Sequence, residues 1–314
     1  PVHINLQFDE PLLPEDSNDW LSGIHPVAKP SAIKVPGEID VITKRNVIIV
    51  GHDRAGFSVD EIEDFADDLA APVIAEDPLV FEHAIAHAPI ILSDERVRRD
   101  LEADLVVVIG RTTLSRSTNA YIQGSTRVMV IDPRTENIDT SRTADEMHRV
   151  IPRITNSVEI DQAWHDKWHK YEEVAAASLS VLPDWSEAEV AAVVAEELEN
   201  DAALFVSSSR PIRDIESFAV PRGGIETYAN RGLAGIDGNI STAMGIASKH
   251  DETYAVIGDL AFLHDISALT NPTTDTLTII VVDNDGGGIF STLPQRGVDG
   301  FEKIFGTPHG RDIA

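Results

Sequence analysis

The 314-residue sequence contains no cysteine. That excludes a disulfide scaffold and any thiolate-held metal site, and it fits an intracellular enzyme. Positive charge is scarce too: 25 Lys and Arg stand against 53 Asp and Glu, a formal net charge of -28. Nucleic-acid phosphates require a basic stripe, so nucleic acid is excluded as a partner. The acid reads mainly as a solvated surface, and any anionic ligand has to be met by local arginines or by a metal. Long apolar runs are missing as well, none approaching the ~20 residues that span a bilayer. The opening Pro1-Val2-His3 has neither the basic nor the apolar segment of a secretory signal. A cytoplasmic protein without a membrane span is the expectation.

What is present is an alternation of short apolar runs and helical patterns. Residues Pro11 to Glu38, rich in Pro, Asp and Ser, read as an extended linker. Val47 to Val50 is a buried strand ending at Gly51, and Ser58-Val59-Asp60-Glu61 is a capping box that opens a helix through Ala70. Pro72 to Ile74, Leu105 to Ile109 and Val128 to Ile131 are further strands. Between Ile160 and Leu182 lies a helical connector whose Trp164, Trp168 and Tyr171 share one face and read as a packing stripe. Ser186-Glu187-Ala188-Glu189 is a second capping box, opening a helix to Glu199, and strands follow at Leu204 to Val206, Tyr254 to Ile257 and Leu277 to Val282. Strands separated by helices imply βαβ units. The expected fold is therefore α/β, with two Rossmann-like, doubly wound parallel-sheet domains. The boundaries are a linker over 1–28, a middle domain over 29–157, a connector over 158–185 and a last domain over 186–314.

The stretch from Gly258 to Phe290 carries the chemistry. Two apolar strands end at Asp259 and at Asn284, and Gly286-Gly287-Gly288 follows. Strand ends on one edge of a parallel sheet are neighbours, and ligands bind there. Asp259, Asn284 and the Gly286 carbonyl are thus candidate ligands of one hard cation, Mg²⁺ or Mn²⁺, which completes its shell with water and phosphate oxygens. Asp285 is the alternative to Asn284. Gly258, Leu260 and Ala261 are placed to bring backbone N–H groups to a diphosphate.

Gly258-Asp259 followed after an apolar strand by Asn284 resembles the fingerprint of thiamine diphosphate enzymes. Asn230-Arg231-Gly232-Leu233-Ala234-Gly235-Ile236-Asp237-Gly238, the run from Asn284 to Phe290, and Phe305-Gly306-Thr307-Pro308-His309-Gly310 narrow the likeness. They resemble the 2-succinyl-5-enolpyruvyl-6-hydroxy-3-cyclohexene-1-carboxylate synthase family of menaquinone biosynthesis, and the likeness covers essentially the whole chain. Two departures are Leu260, where the general fingerprint has a glycine, and Ser207-Ser208, where the family has Gly-Asn.

The resemblance implies a thiamine diphosphate- and Mg²⁺-dependent transferase. Its chemistry is decarboxylation of 2-oxoglutarate and addition of the succinyl carbanion to isochorismate, in a homodimer or homotetramer. Gly235, Ile236, Asp237 and Gly238 then belong to the cofactor, with Ile236 propping its bent shape; read alone, Ile236 is a packing residue. Arg213 and Arg231 hold substrate carboxylates, Ser209 is a site serine, and Arg116 matches a basic position of the middle domain. Read from their residue types, Ile289 and Phe290 either wall the pocket or pack in the core. A preceding domain, in that family, supplies a glutamate that activates the cofactor, and nothing here matches it, so this chain is expected to be an inactive fragment. Another thiamine diphosphate enzyme, of acetolactate synthase or 2-oxo acid decarboxylase type, and a non-catalytic ligand-binding fragment remain the alternatives.

Other patterns carry less. Gly51 to Gly56 follows a strand but has neither P-loop nor dinucleotide spacing and reads as a turn. The pairs His165/His169 and His83/His87 stand four apart with no third ligand nearby, and read as chance helical pairs. Ser207 to Ser209 lack a nucleophile elbow.

Overall fold

The computed structural model describes residues 36–134, 144–232, 234–271 and 275–313. Residues 1–35, and with them the expected linker over 1–28, lie outside the described residues. The elements run β1 (Glu38–Ile39), β2 (Asn46–Val50), α1 (Val59–Leu69), β3 (Val73–Ala75), α2 (Ala88–Ile91), α3 (Glu95–Asp100), β4 (Leu105–Ile109), α4 (Arg116–Gln123), β5 (Val128–Ile131), β6 (Glu146–His148), β7 (Arg153–Ile154) and α5 (Gln162–Leu179). After them come α6 (Glu187–Glu197), β8 (Ala203–Val206), α7 (Arg210–Phe218), β9 (Glu226–Tyr228), α8 (Asn239–Ala247), β10 (Thr253–Gly258), α9 (Asp259–Asp265) and β11 (Leu277–Val282).

The first sheet has the order β3-β2-β4-β5-β6, and every pairing is parallel. Its strands β3, β2, β4 and β5 are unbroken Val, Ile, Leu, Ala and Met apart from Asn46, and each of their residues is buried. Such runs suit a sheet covered on both faces, as parallel crossovers demand. Asn46 is tolerated because its amide donates to the carbonyls of Leu69 and Thr43. The edge strand β6 is instead polar and part-exposed.

The capping box before α1 is present: the Ser58 hydroxyl accepts the Glu61 N–H, and the Glu61 carboxylate accepts the Ser58 N–H at 2.8 Å. The one before α6 is only half formed. Ser186 accepts the Glu189 N–H, but the Glu189 carboxylate reaches the N–H of Trp185, one residue further back. That helix also ends at Glu197, two residues short of the expected Glu199. On α5 the stripe packs as its spacing implies. Trp164 and Trp168 are buried against the first sheet's core, edge to face at 6.0 Å, with Tyr171 beside them.

The second sheet has the order β11-β10-β8-β9, again parallel throughout. Ala255 sits opposite Phe205 and Ile279, so β10 is flanked on both sides, as is β8. From β8 the chain passes outward to β9, then crosses back to β10 on the other side. Reversal of strand order opens a crevice at the carboxyl ends of the two strands that part. Here those strands are β8 and β10. The first sheet reverses in the same manner between β2 and β4.

Candidate functional site

Strands β8, β10 and β11 all discharge into the second sheet's crevice. Ser207 to Ser209 follow β8, Asp259 follows β10, and Asn284 with Gly286 to Gly288 follows β11. With Gly235, Ile236 and Asn239 they wall a cavity of about 360 Å³. Gly258, Leu260, Ala261, Ile289 and Phe290 line it too. Ile236 is 48% exposed there, so the packing role that its residue type suggests is not the one it has. Asp237 is exposed, and Gly238 (φ 71°) forms the N-cap of α8. Ser209 holds φ 79° and ψ -126°, outside the regions open to residues with a Cβ. Strain of this kind is worth about 1–3 kcal/mol and collects at functional sites.

The backbone after β11 can follow this path only with glycine. Gly286 has φ 136°, and a Cβ there would stand 2.0 Å from the Gly306 carbonyl oxygen. This close approach lets the segment carrying His309 fold over the strand end. Asp259, 2% exposed, is the hub. Its Oδ1 accepts the Leu260 N–H at 2.7 Å, and its Oδ2 accepts the Gly286 N–H at 2.6 Å. The Leu260 N–H expected at a diphosphate is thus held by Asp259 in this structure, and Leu260 and Ala261 lie in a helical turn. His309 Nε2 lies 3.0 Å from Asp259 Oδ2, while its Nδ1 accepts the Arg311 N–H at 3.0 Å. A carboxylate only accepts, so the proton sits on Nε2 and donates to Asp259. Ligand atoms of Asp259, Asp283 and His309 lie within 4.8 Å of one another. Asp285 is turned elsewhere, accepting the N–H groups of His309 (3.0 Å) and Gly310 (2.7 Å). The Asn284 amide nitrogen donates to the Glu187 carboxylate.

A second cavity, about 720 Å³, adjoins the first and shares Leu114, Arg210, Arg213, Ile289 and Phe290 with it. Arg116 lines it as well. Arg213 donates to the Ser209 carbonyl at 2.6 Å, and burial and then the Arg231 charge weaken its hold on a proton. Arg231 lines neither of these cavities. Its guanidinium is bound to Glu76 at 2.6 Å, a carboxylate that also accepts the His52 N–H at 2.9 Å and the Leu114 N–H at 3.2 Å. Of the expected site residues, the structure therefore brings Ser209, Arg213, Arg116 and Phe290 to the cavities and ties Arg231 to the first sheet's β3 end.

Two carboxyls on α7 are buried beside these arginines. Burial, assisted by the Glu76 charge, pushes Glu216 well above the usual carboxylate range. Burial also lifts Asp214 to about 7, with Glu187 adding to it, although Arg210 stands 2.9 Å away. On the first sheet's side, burial and then Arg231 push His52 down to about 4.

With this geometry in view, comparison with known proteins is decisive for family. Residues 15–206, more than half of the chain, match the family described as the middle domain of thiamine pyrophosphate. The chain belongs to this thiamine pyrophosphate family. It is also similar along its length to 2-succinyl-5-enolpyruvyl-6-hydroxy-3-cyclohexene-1-carboxylate synthases. Identity is 30% over 329 residues to that of Staphylococcus haemolyticus (99% of this chain, 59% of the relative). It is 33% over 333 residues to that of Staphylococcus saprophyticus (99% and 58%). With the Staphylococcus aureus MRSA252 protein it is 30% over 335 residues (100% and 59%). The chain thus spans under two thirds of the length of these relatives. No helix among the described residues is long and apolar enough to cross a membrane.

The first cavity suits the family's cofactor. Asp259 and Asn284 line it and carry the oxygen donors that a hard cation prefers, and Asp283 lies beside Asp259. The Oδ1 of Asn239, a residue 1% exposed in the cavity wall, is buried without a donor and offers itself to a ligand N–H. Sequence reasoning missed Glu76, Glu187, Glu216 and the part played by His309. One signal was readable: Ile212, Ile215, Glu216 and Ala219 fall on one helical face, which puts a carboxyl in an apolar stripe. For Glu187 there was none, since a first-turn glutamate reads as a dipole partner.

Proposed function

We propose that this chain forms the middle and diphosphate-binding parts of a thiamine diphosphate- and Mg²⁺-dependent synthase. On this reading the enzyme decarboxylates 2-oxoglutarate and transfers the succinyl unit to isochorismate, as the family resemblance implies. The observation that carries it is the convergence of Asp259, Asn284, the Gly286 to Gly288 turn and the exposed Ile236 on one cavity beside an arginine-lined one. Bound there, the cofactor supplies the electron sink for decarboxylation.

The chain's own residues have separable tasks. Asp259, Asn284 and the Gly286 carbonyl hold the cation, and Gly235, Ile236 and Asn239 hold and orient the organic part. Arg213 and Arg116 clamp the carboxylates of the substrates, since a guanidinium matches a carboxylate in two parallel bonds. Arg231, charge-paired with Glu76, keeps the Arg213 side of the wall in place. Ile289 and Phe290 separate the two cavities and exclude water. A middle domain over 29–157, a connector over 158–185, a cofactor domain over 186–314, a homo-oligomer and a cytoplasmic setting complete the reading.

Calorimetric titration of thiamine diphosphate into the folded chain, with Mg²⁺ and then with EDTA, tests it. Metal-dependent binding that disappears in Asp259→Ala supports the site. Metal-independent binding, or equal binding by the variant, overturns it.

A further inference from the structure

A cation can be served by only one end of an amide. Asn284 carries one acceptor oxygen and two N–H donors on its terminal group, and the two ends are nearly the same shape. The structure supplies the deciding group from 97 residues away: the Asn284 amide nitrogen donates to Oε1 of Glu187, the first residue of α6. A carboxylate has no proton to give, so it accepts the nitrogen end and rejects the oxygen end.

Glu187 is itself fixed from the other side. Its Oε2 accepts the Arg210 Nε–H at 3.0 Å, and Arg210 reaches on to Asp214 Oδ1 at 2.9 Å. Arg210 and Glu187 are each only about a quarter exposed at their side chains, so the pair is held rather than waving in solvent (28% and 26%). The chain Asn284–Glu187–Arg210–Asp214 therefore runs from the wall of the first cavity to that of the second.

We propose that Glu187 is a positioning residue that orients the Asn284 amide, turning its carbonyl oxygen toward the cation beside Asp259. This rests on the proposed thiamine diphosphate reading and adds to it a residue of the cavity wall that acts on the metal through Asn284. Groups of this kind, behind the direct ligands, typically change metal affinity about 10- to 100-fold when removed.

A donor–acceptor swap tests the assignment. In Glu187→Gln the side chain keeps an oxygen for Arg210 but presents its NH₂ to the Asn284 NH₂, and the amide is no longer held. In Asn284→Asp two carboxylates face each other. In the double variant E187Q/N284D, the Gln oxygen accepts from Arg210 and its NH₂ donates to the carboxylate that N284D introduces, so the contact is restored with its polarity reversed. Mn²⁺ affinity with saturating thiamine diphosphate, read by electron paramagnetic resonance of the free ion, is the measurement, with circular dichroism as the check on folding. The expected result is a loss of about 10-fold or more in E187Q and recovery to within about threefold of wild type in E187Q/N284D. Unchanged affinity in E187Q, or a double variant no better than E187Q, overturns the role of Glu187 and leaves the cofactor site standing. A wild-type chain that shows no cofactor-dependent Mn²⁺ binding overturns the cofactor reading itself, and this inference with it.

Discussion

The two sheets reverse strand order in the same way, yet one crevice is filled and the other is open. Between β2 and β4 the loops meet directly: the Arg111 N–H donates to the Asp53 carbonyl at 3.1 Å. A Cβ on Gly51 would stand 1.5 Å from the Arg111 carbonyl oxygen, and one on Gly110 2.0 Å from that of Asp53. Asp53, Arg111, Arg134 and Asp132 then neutralise one another across the top. Between β8 and β10, Asp259, Ile236 and Asn239 instead face a cavity. The switch point is a place where a site can form. Whether one does depends on whether the loops' own side chains complete each other there.

Core truncation gives the largest contrast. Ile48→Ala in β2, whose side chain is wholly buried, is expected to lower unfolding free energy by about 2–5 kcal/mol. Ile280→Ala in the part-exposed edge strand β11 is expected to lower it by less than half as much, measured by urea denaturation. Equal losses would mean that the two sheets unfold as one rigid unit and that edge exposure is immaterial.

Glycine substitution comes next. Gly51→Ala pushes backbone against backbone in the filled crevice and should cost about 1–3 kcal/mol of global stability. Gly286→Ala meets a comparable overlap in a loop over the cavity, so its effect should fall on metal-dependent cofactor binding, with the melting temperature nearly kept. If both variants act on stability alone, the open crevice is as much a structural joint as the filled one.

The smaller effects are in pH dependence, and the two edges have opposite signs. Burial opposes ionisation of Asp53, but the Arg134 hydrogen bond and the nearby guanidinium charges outweigh it and hold the carboxyl below its usual range. A depressed carboxyl stabilises the fold above its unfolded value and loses that contribution as pH falls through the folded value. Asp53→Asn should therefore flatten the acid side of the stability curve, below pH ~4. Asp214 is the reverse case: with a folded value of about 7 against an ordinary 3.8, its contribution is full below 3.8 and is lost as pH rises toward 7. Asp214→Asn should remove that decline, seen as a smaller fall in melting temperature between pH 5 and pH 7.

Much of this was legible in the amino acids. Uninterrupted Val/Ile runs such as Val106-Val107-Val108 mark doubly covered strands, and Ser58 with Glu61 marks a helix start, because both depend on neighbours in sequence. Glu189 shows the limit of that reading, since its carboxylate chose the Trp185 N–H one residue beyond the expected cap. The positions of Asp259 and Asn284 after strands were equally readable. Their hydrogen-bond partners were not. Glu187 lies 97 residues from Asn284, Glu76 lies 155 residues from Arg231, and His309 lies 50 residues from Asp259.

The sequence alone therefore determined the parallel α/β class, the strand-end placement of Asp259 and Asn284 and the glycines that permit close approach, all consequences of local sterics and burial. The tertiary structure decided which crevice stays open, which arginine is bound by a buried glutamate and which end of the Asn284 amide meets Glu187. Those outcomes depend on charges and hydrogen-bond donors brought together by packing, and the energy of such pairs is set by distance and burial that no run of neighbouring residues encodes.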